Sequence, residues 1–571
     1  MGREIARLRV KYGSGALPPA RSSLPQHPSM LHHTTGDLRY AVDRLVTNGR
    51  RIFGWGWAAH RSQALKAVTL RVEGDGWQAR LPAGCGQSRQ DVEDSHPELV
   101  NARTSGFVLT GFAPGSPARR MLLELELADG SREEIDVTSG AEDLNGTRGR
   151  VRRLRWIWRA VWRRLKRGDL LGIVRRARAQ HYVATSLDDA HALDELIREL
   201  RSTRDVCILL DNNMGGGSNH YRRGVIDEKL ERGQSVLLCT YNLPILEYRL
   251  HFRRPGEPEK VFGIASFLAL ERILREVPVA EVFVNSPVSF DEPLVLAEWL
   301  ARIPAEHPGT RLTLTAHDYF AVCPSFVLLN ADGRYCGIPD IGTCRACLSR
   351  HTASYVKLSP PSDIGPWRAM WGRALAAADE VRSFSTATRD LLLRAYPGLD
   401  PARLSVIPHE VDYAPVRVPR MDHAAPLVVG IVGEITYQKG ATIVQALVDI
   451  LDREGHDVRV VVIGALDVAH KSPRLTVTGP YKRQELVEII ESHGVNMLLF
   501  PSIWPETFSY VVAELALLEA PIVAFDLGAP AERLRGNPLA RLCREVSAPA
   551  ALETLRAFHE EMKHASAGKA A

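Results

Sequence analysis

The stretch 501–526, PSIWPETFSYVVAELALLEAPIVAFD, decides how this chain is read. Just before it, VNMLLFP (495–501) is an apolar run closed by proline, the pattern of a buried strand. FSYVVAELALLE (508–519) has the apolar spacing of a helix. Glu506 therefore falls in the strand-to-helix turn, and Glu514 falls inside the helix about two turns on. A strand, a turn bearing a carboxylate and a helix N-terminus form a nucleotide-binding corner in open α/β sheets. Taken alone, the two acids describe equally well a first-turn glutamate and a solvated helical one.

Working outward, the same alternation of buried strands and helices fills the C-terminal half. LVVGIVG (427–433), DVRVVVIG (457–464), RLTVTG (474–479) and PIVAFD (521–526) are strands, interleaved with helices such as ATIVQALVDILDRE (441–454) and RQELVEIIES (483–492). An earlier series starts with DVCILLD (205–211), the glycine loop and helix from Met214, and SVLLCTY (235–241). It continues through EVFVN (281–285), RLTLTAHD (311–318), EVRSFS (380–385) and LSVIP (404–408). A proline-bearing linker, YAPVRVPRMDHAAP (413–426), separates the two series, which predicts two doubly wound α/β domains. Residues 40–140 differ: short alternating segments broken by Gly, Asp and Pro predict a small all-β sandwich. There Phe53, Trp55 and Trp57 share one strand face, and core packing is favoured over a sugar-stacking platform.

In order, Pro501, Ser502, Trp504, Pro505, Glu506, Phe508, Val511, Glu514, Pro521, Asp526 and Gly528 resemble the donor-site signature of retaining GT-B-fold glycosyltransferases. This is the family 4, or group 1, type, which includes sucrose- and glycogen-synthase-like enzymes. The resemblance implies two Rossmann-like domains facing a cleft: an acceptor domain at 203–415 and a donor domain at 425–545, followed by a C-terminal helix or tail at 546–571. It implies that Glu506 contacts the sugar of a nucleotide-sugar donor and that Glu514 bonds the ribose hydroxyls. Thr507, Phe508 and Ser509 complete that donor segment. In VGEITYQKG (432–440) the resemblance implies that Gly433 lines the donor and that Lys439 grips its diphosphate, with Glu434 standing where the family usually has Arg. The loop Gly215, Gly216, Gly217 corresponds to the family's glycine-rich loop beside the donor phosphates and acceptor, where an absent Cβ lets backbone N–H groups approach. His317 ends a strand at the acceptor side, where the family often places a sugar-bonding His; a satisfied structural His is the alternative. VIPHEVDY (406–413) resembles the interdomain stretch VIPNGVD and supports the alignment without naming a catalytic group. The catalytic set is thus Glu506, Lys439 and His317. No Asp-x-Asp occurs, which fits chemistry without a catalytic metal, with a lysine and helix-terminal N–H groups carrying the leaving nucleoside diphosphate.

Cys323, Cys336, Cys344 and Cys347 place half of the eight cysteines in 25 residues, inside an insertion at 317–350. Four thiols at this spacing suit a structural Zn²⁺, with an iron–sulfur cluster or four free thiols as alternatives, and the position just after His317 suggests a loop pinned over the acceptor side.

Length (571 residues), 45% hydrophobic and 24% charged content are those of a globular protein of several domains. No apolar run is long enough to span a membrane, and 1–38 reads as a flexible leader without a secretory core. Sparse cysteine argues against a disulfide scaffold and for the cytoplasm. The net charge of +5 is unevenly placed, because residues 148–178 hold thirteen Lys or Arg against Asp169 alone. Within 148–180, Val151, Leu154, Trp158, Val161 and Leu165 recur at three- and four-residue steps, flanked by Trp156 and Trp162. That pattern predicts a basic amphipathic helix on an anionic membrane surface rather than on nucleic acid. The sequence therefore reads as a retaining hexosyltransferase using a nucleotide sugar and a glycan or lipid-linked polysaccharide acceptor, peripheral on the cytoplasmic face of the membrane. A non-catalytic GT-B scaffold, or an RNA-associated protein using the basic helix, are the alternatives.

Overall fold

The computed structural model describes residues 31–35, 37–49, 51–87, 89–113, 118–144, 190–203, 205–213, 216–242, 246–264, 266–351, 363–411, 417–468 and 470–570. The basic segment 148–178 lies outside them. The described chain divides into two compact units, residues 31–315 with 348–380, and residues 316–347 with 381–570. None of the described helices is long and apolar enough to cross a membrane.

The first unit opens with the expected all-β module. One sheet has the order β1 (Leu31–Thr35), β2 (Leu38–Asn48), β3 (Arg51–His60), β7 (Gly106–Phe112) and β6 (Gly84–Gln87), with β10 (Glu142–Asp143) parallel to β2. The other runs β5 (Trp77–Pro82), β4 (Leu65–Gly74), β8 (Ala118–Leu127) and β9 (Arg132–Asp136). Leu45, Ile52, Phe107 and Leu109 of the first sheet meet Val68, Leu70, Val72, Leu123 and Leu125 of the second, forming one apolar core. On β3 the glycines face that core: a Cβ on Gly56 would lie 2.8 Å from the Phe107 ring. The alternating aromatics take the opposite face. There Trp57 joins Val92, Leu99 and Ala102 in a second small core, as expected for packing, while Trp55 is half-buried under the Arg44 guanidinium.

In the same unit β12 (Ser235–Asn242), β11 (Val206–Asp211), β15 (Val279–Ser286) and β16 (Arg311–Thr315) run parallel. All six residues of β11 are buried, which explains its unbroken apolar sequence. An antiparallel pair, β13 (Glu247–Arg253) and β14 (Lys260–Ile264), extends this sheet beyond the expected βα series. The β module is fastened to it by a buried ion pair. Arg51 Nε lies 2.7 Å from Asp291 Oδ2, with 10% and 9% of the two side chains exposed. Tyr248 donates its hydroxyl to Asp291 Oδ1 at 2.5 Å, and the Arg51 guanidinium stands 5.4 Å from the Tyr248 ring. Asn48 Nδ2 donates to the Leu246 carbonyl at 3.1 Å.

The second unit holds a parallel six-stranded sheet in the order β21 (Leu475–Val477), β20 (Arg459–Leu466), β19 (Val428–Ile435), β22 (Met497–Phe500), β23 (Ile522–Phe525) and β24 (Ala540–Cys543). One face is packed by helix Ala441–Glu454 and by Ala551, Leu552, Leu555 and Phe558 of helix Ala548–Ala570, so the C-terminal helix belongs to the core. The other face is packed by helices Leu486–Ser492 and Tyr510–Ala516. The parallel pair β17 (Glu380–Ser383) and β18 (Leu404–Val406) also lies largely in this unit. The doubly wound α/β class read from the sequence, preceded by an all-β module, is the architecture observed.

Removing one partner of a buried pair strands the other charge, at about 3–5 kcal/mol, whereas removing both spares most of that cost. Asp291→Ala is therefore expected to lower the melting temperature clearly, and the double variant Arg51→Met, Asp291→Leu to recover part of the loss, since the buried Tyr248 hydroxyl still lacks its acceptor. Differential scanning calorimetry of the three proteins checks both statements, and a double variant as unstable as Asp291→Ala would refute the ion-pair account.

Candidate active site

The carboxyl ends of β19, β20 and β22 converge on the second unit's site, and glycines let their backbones meet. A Cβ on Gly464 would lie 2.1 Å from the Gly433 carbonyl oxygen, and one on Gly440 would lie 2.0 Å from that of Pro501. Both positions have φ in the left-handed half of the map, +135° and +90°, so glycine is required twice over. The loop that carries Lys439 is thereby seated on Pro501, and the Ile503 N–H donates to the Gln438 carbonyl at 3.1 Å.

Glu506 is 4% exposed, and Ser502 Oγ donates to its Oε1 at 3.0 Å. Burial pushes this carboxyl above the usual glutamate range, while the Lys439 charge and the bond from Ser502 oppose the rise. Its backbone is held as well: the Glu506 carbonyl accepts the Ala529 N–H at 2.8 Å, and Gly528 (φ +57°) leaves no room for a Cβ against Pro505. The helix expected over 508–519 spans Tyr510–Ala516, and Ser509 caps it by accepting the Val512 N–H at 3.3 Å. That one first-turn donor is thus taken by the Ser509 hydroxyl. Glu514 lies inside the helix, 7% exposed, with Arg483 Nε donating to its Oε1 at 2.9 Å. Burial raises its carboxyl and Arg483 opposes the rise. Glu434, the departure from the family pattern, is exposed, and Lys439 is half-buried.

His317 belongs to this same unit and is stitched to the Glu506 segment. Thr507 Oγ1 donates to the His317 carbonyl at 2.9 Å, and the Tyr319 hydroxyl donates to the Pro505 carbonyl at 2.8 Å. The His317 ring lies 4.3 Å from Phe384 and 5.1 Å from His409. Burial, then the His409 charge, hold its pKa well below the usual histidine value, so it is a neutral hydrogen-bonding group at neutral pH. His409 stacks on Phe508 at 4.4 Å, and its Nδ1 is 2.7 Å from the Tyr510 hydroxyl. The Thr507 hydroxyl bonds the His317 carbonyl, the Ser509 hydroxyl takes the Val512 N–H, and the Phe508 ring meets both His409 and the Arg533 guanidinium.

His409 and Arg483 are the residues that sequence reading missed. Each is a single polar residue meeting a partner 101 and 31 positions away in the chain, a contact no local spacing signals.

The glycine loop lies in the first unit. Gly215 is outside the described residues, Gly216 (φ +85°) caps helix Gly217–Glu231, and both Gly216 and Gly217 are exposed. Asp211 at the end of β11 is fully buried, and Arg222 on the helix bridges its Oδ2 at 2.8 Å and the Asn212 carbonyl at 2.9 Å. Burial pushes Asp211 up to about 7 against these bonds.

The four cysteines are free, and Cys323 feels the charges of Cys336, Cys344 and Cys347. Burial pushes the Cys323 thiol up to about 12. The Ala331 N–H donates to Cys347 Sγ at 3.3 Å. The thiols thus share one neighbourhood, yet among the described residues no group of three or more His, Cys, Asp or Glu is arranged to hold a metal ion. The insertion itself packs Val327 and Leu329 into the core of the six-stranded sheet beside Ile435 and Ala441. Its turn at Gly333 abuts the Tyr437 hydroxyl, two residues before Lys439, so this insertion backs the Lys439 loop.

Residues 426–556 match the family described as glycosyl transferases group 1. No curated protein matches the chain in sequence. Among solved structures, HepE of Anabaena in complex with UDP is 13% identical, with 63% of this chain and 91% of that chain covered and a TM-score of 0.41. The lipopolysaccharide outer core galactosyltransferase WaaB, in its apo form, gives 13% identity, 62% and 91% coverage and a TM-score of 0.40. The catalytic domain of starch synthase IV from Arabidopsis thaliana, bound to ADP and acarbose, gives 12%, 63%, 92% and 0.38.

Glu506 binds protons more tightly in the folded chain than in the unfolded one, so its ionisation costs stability as pH rises above the ordinary value of 4.5. Glu506→Gln is expected to melt higher than wild type at pH 7, by about 2–4 °C for each kcal/mol recovered, and the gap should close toward pH 4.5. Thermal melts of both proteins across that range test this. A variant that melts lower at pH 7 would show that the carboxylate stabilises the fold.

Proposed function

We propose that this chain, whose residues 426–556 match the group 1 glycosyltransferases, transfers a hexosyl unit from a nucleotide sugar to a glycan, with retention of configuration. The observation that carries the reading is the buried Glu506, braced by Ser502 and influenced by Lys439, with Glu514 held two turns on. A buried carboxylate that burial destabilises, beside a cation, is an arrangement kept for binding rather than for stability. In this reading Glu514 accepts hydrogen bonds from the ribose and Glu506 orients the donor sugar. Lys439 offsets the charge that develops on the departing nucleoside diphosphate. His317, neutral at working pH, offers a hydrogen bond to a sugar hydroxyl without adding a charge. The glycosidic bond to the diphosphate breaks as the acceptor hydroxyl attacks from the same face, and the acceptor's proton leaves with the diphosphate oxygen.

The acceptor in this proposal is a lipid-linked polysaccharide, and residues 148–178 hold the enzyme on an anionic cytoplasmic membrane face. The alternative of a non-catalytic glycan-binding scaffold draws on Glu434, an acid where the family pattern has a phosphate-binding Arg.

Thermal shift with UDP-, GDP- and dTDP-sugars is expected to identify one donor class that raises the melting temperature. With that donor, Lys439→Ala should lower turnover by about 100- to 1,000-fold, the scale of losing one charge-stabilising group. The anomeric configuration of the product, read by NMR, tests retention. A wild-type chain that neither binds nor cleaves any nucleotide sugar would leave the scaffold reading standing. Flotation with anionic vesicles, with and without residues 148–178, tests the membrane claim, and equal flotation of both forms would remove it.

A further inference from the structure

The ion pair between Arg483 and Glu514 has no part in the mechanism above, and it lies where the donor's ribose is proposed to sit. Arg483 opens the short 3₁₀ turn Arg483–Glu485, which follows β21, and it reaches across to helix Tyr510–Ala516. Its Nε donates to one carboxylate oxygen only, Oε1 at 2.9 Å, and no described residue bonds Oε2. The Arg483 side chain is 29% exposed and that of Glu514 10%, so the pair is set at the edge of the interior rather than in open solvent. Its neighbours are already engaged. Lys482 and Glu485 face each other at 3.8 Å, Glu485 also takes the Lys482 N–H, and the Lys439 charge acts on Glu506. Among the described residues, Arg483 is the one charge that shifts Glu514.

Resting on the proposed function, we propose that Arg483 is a positioning residue for the nucleotide: it fixes Glu514 through Oε1 and presents Oε2 to the ribose hydroxyls of the donor. A glutamate side chain free in a half-wet corner has several rotamers, and binding would have to select one of them. Anchored at Oε1, the carboxylate is set before the donor arrives. The same bond keeps the group an acceptor, since burial favours the protonated acid and the guanidinium favours the carboxylate. Without Arg483, Glu514 should take up a proton at a higher pH, and a protonated acid is a poorer partner for two hydroxyl donors. The site then becomes selective for ribonucleotides, because a 2′-deoxy donor forfeits part of what Oε2 offers.

The test measures binding of UDP, GDP and ADP, and of the 2′-deoxy form of whichever binds best, by titration calorimetry between pH 5.5 and 8. Wild type, Arg483→Met and Arg483→Lys are compared after circular dichroism and thermal melts establish that each is folded. Arg483→Met should bind the ribonucleotide about 10- to 100-fold more weakly, the range for a lost bond to a charged group. Its affinity should fall further as pH drops, and its preference for ribo over 2′-deoxy should narrow. Arg483→Lys should restore the flatter pH profile before it restores affinity. Wild type that binds while Arg483→Met matches it in affinity, pH profile and sugar preference would overturn the inference alone. Wild type that binds no nucleoside diphosphate would overturn the proposed function and this inference together.

Discussion

The hydrogen bonds and close packing spent on the carbonyls of Pro501, Pro505 and Glu506 are what the second unit's site depends on. Pro501 abuts Gly440 and so seats the Lys439 loop. The Pro505 carbonyl takes the Tyr319 hydroxyl, and the Glu506 carbonyl takes the Ala529 N–H. A chain leaving a parallel strand has carbonyls that the sheet no longer pairs, and buried ones must find donors. Here each donor comes from a different element, so satisfying the backbone also assembles the side chains. Glycine at 440 and 528 is the steric condition for that arrangement, since a Cβ at either position would occupy the space of the carbonyl it serves.

Electrostatically the site runs against stability at several points. Glu506 and Glu514 are both held with carboxyl groups raised by burial, and His317 is held neutral by its surroundings. Each arrangement trades folding free energy for a defined hydrogen-bonding group where water is scarce. The compensation is structural, in the cores on both faces of the six-stranded sheet.

Much of the frame was legible in the sequence because buried parallel strands leave unbroken apolar runs. Val206–Asp211 and Met497–Phe500 are such runs, and both are strands. The strand Glu247–Arg253 was not read, since EYRLHFR alternates buried and half-buried residues and carries three charges. It joins the sheet as an antiparallel strand between β12 and β14, with one face left partly wet. The two glutamates were legible because a long local pattern surrounds them. Arg483 and His409 were not, because what distinguishes them is a partner, and partners across a fold leave no local spacing. The cysteine-rich insertion was expected over the acceptor side. Its apolar Val327 and Leu329, which carry it into the core of the six-stranded sheet, lie between the cysteines that drew attention first.

The bond from Thr507 to the His317 carbonyl has a thermodynamic consequence. It joins the end of one strand of the sequence's first βα series to the turn that bears Glu506, within one compact unit. The two groups therefore share a rigid frame, and their separation is decided when the chain folds rather than when a ligand arrives. A ligand that touches both meets a template whose ordering entropy was spent in folding, so tightness of fit there is governed by shape more than by adaptation.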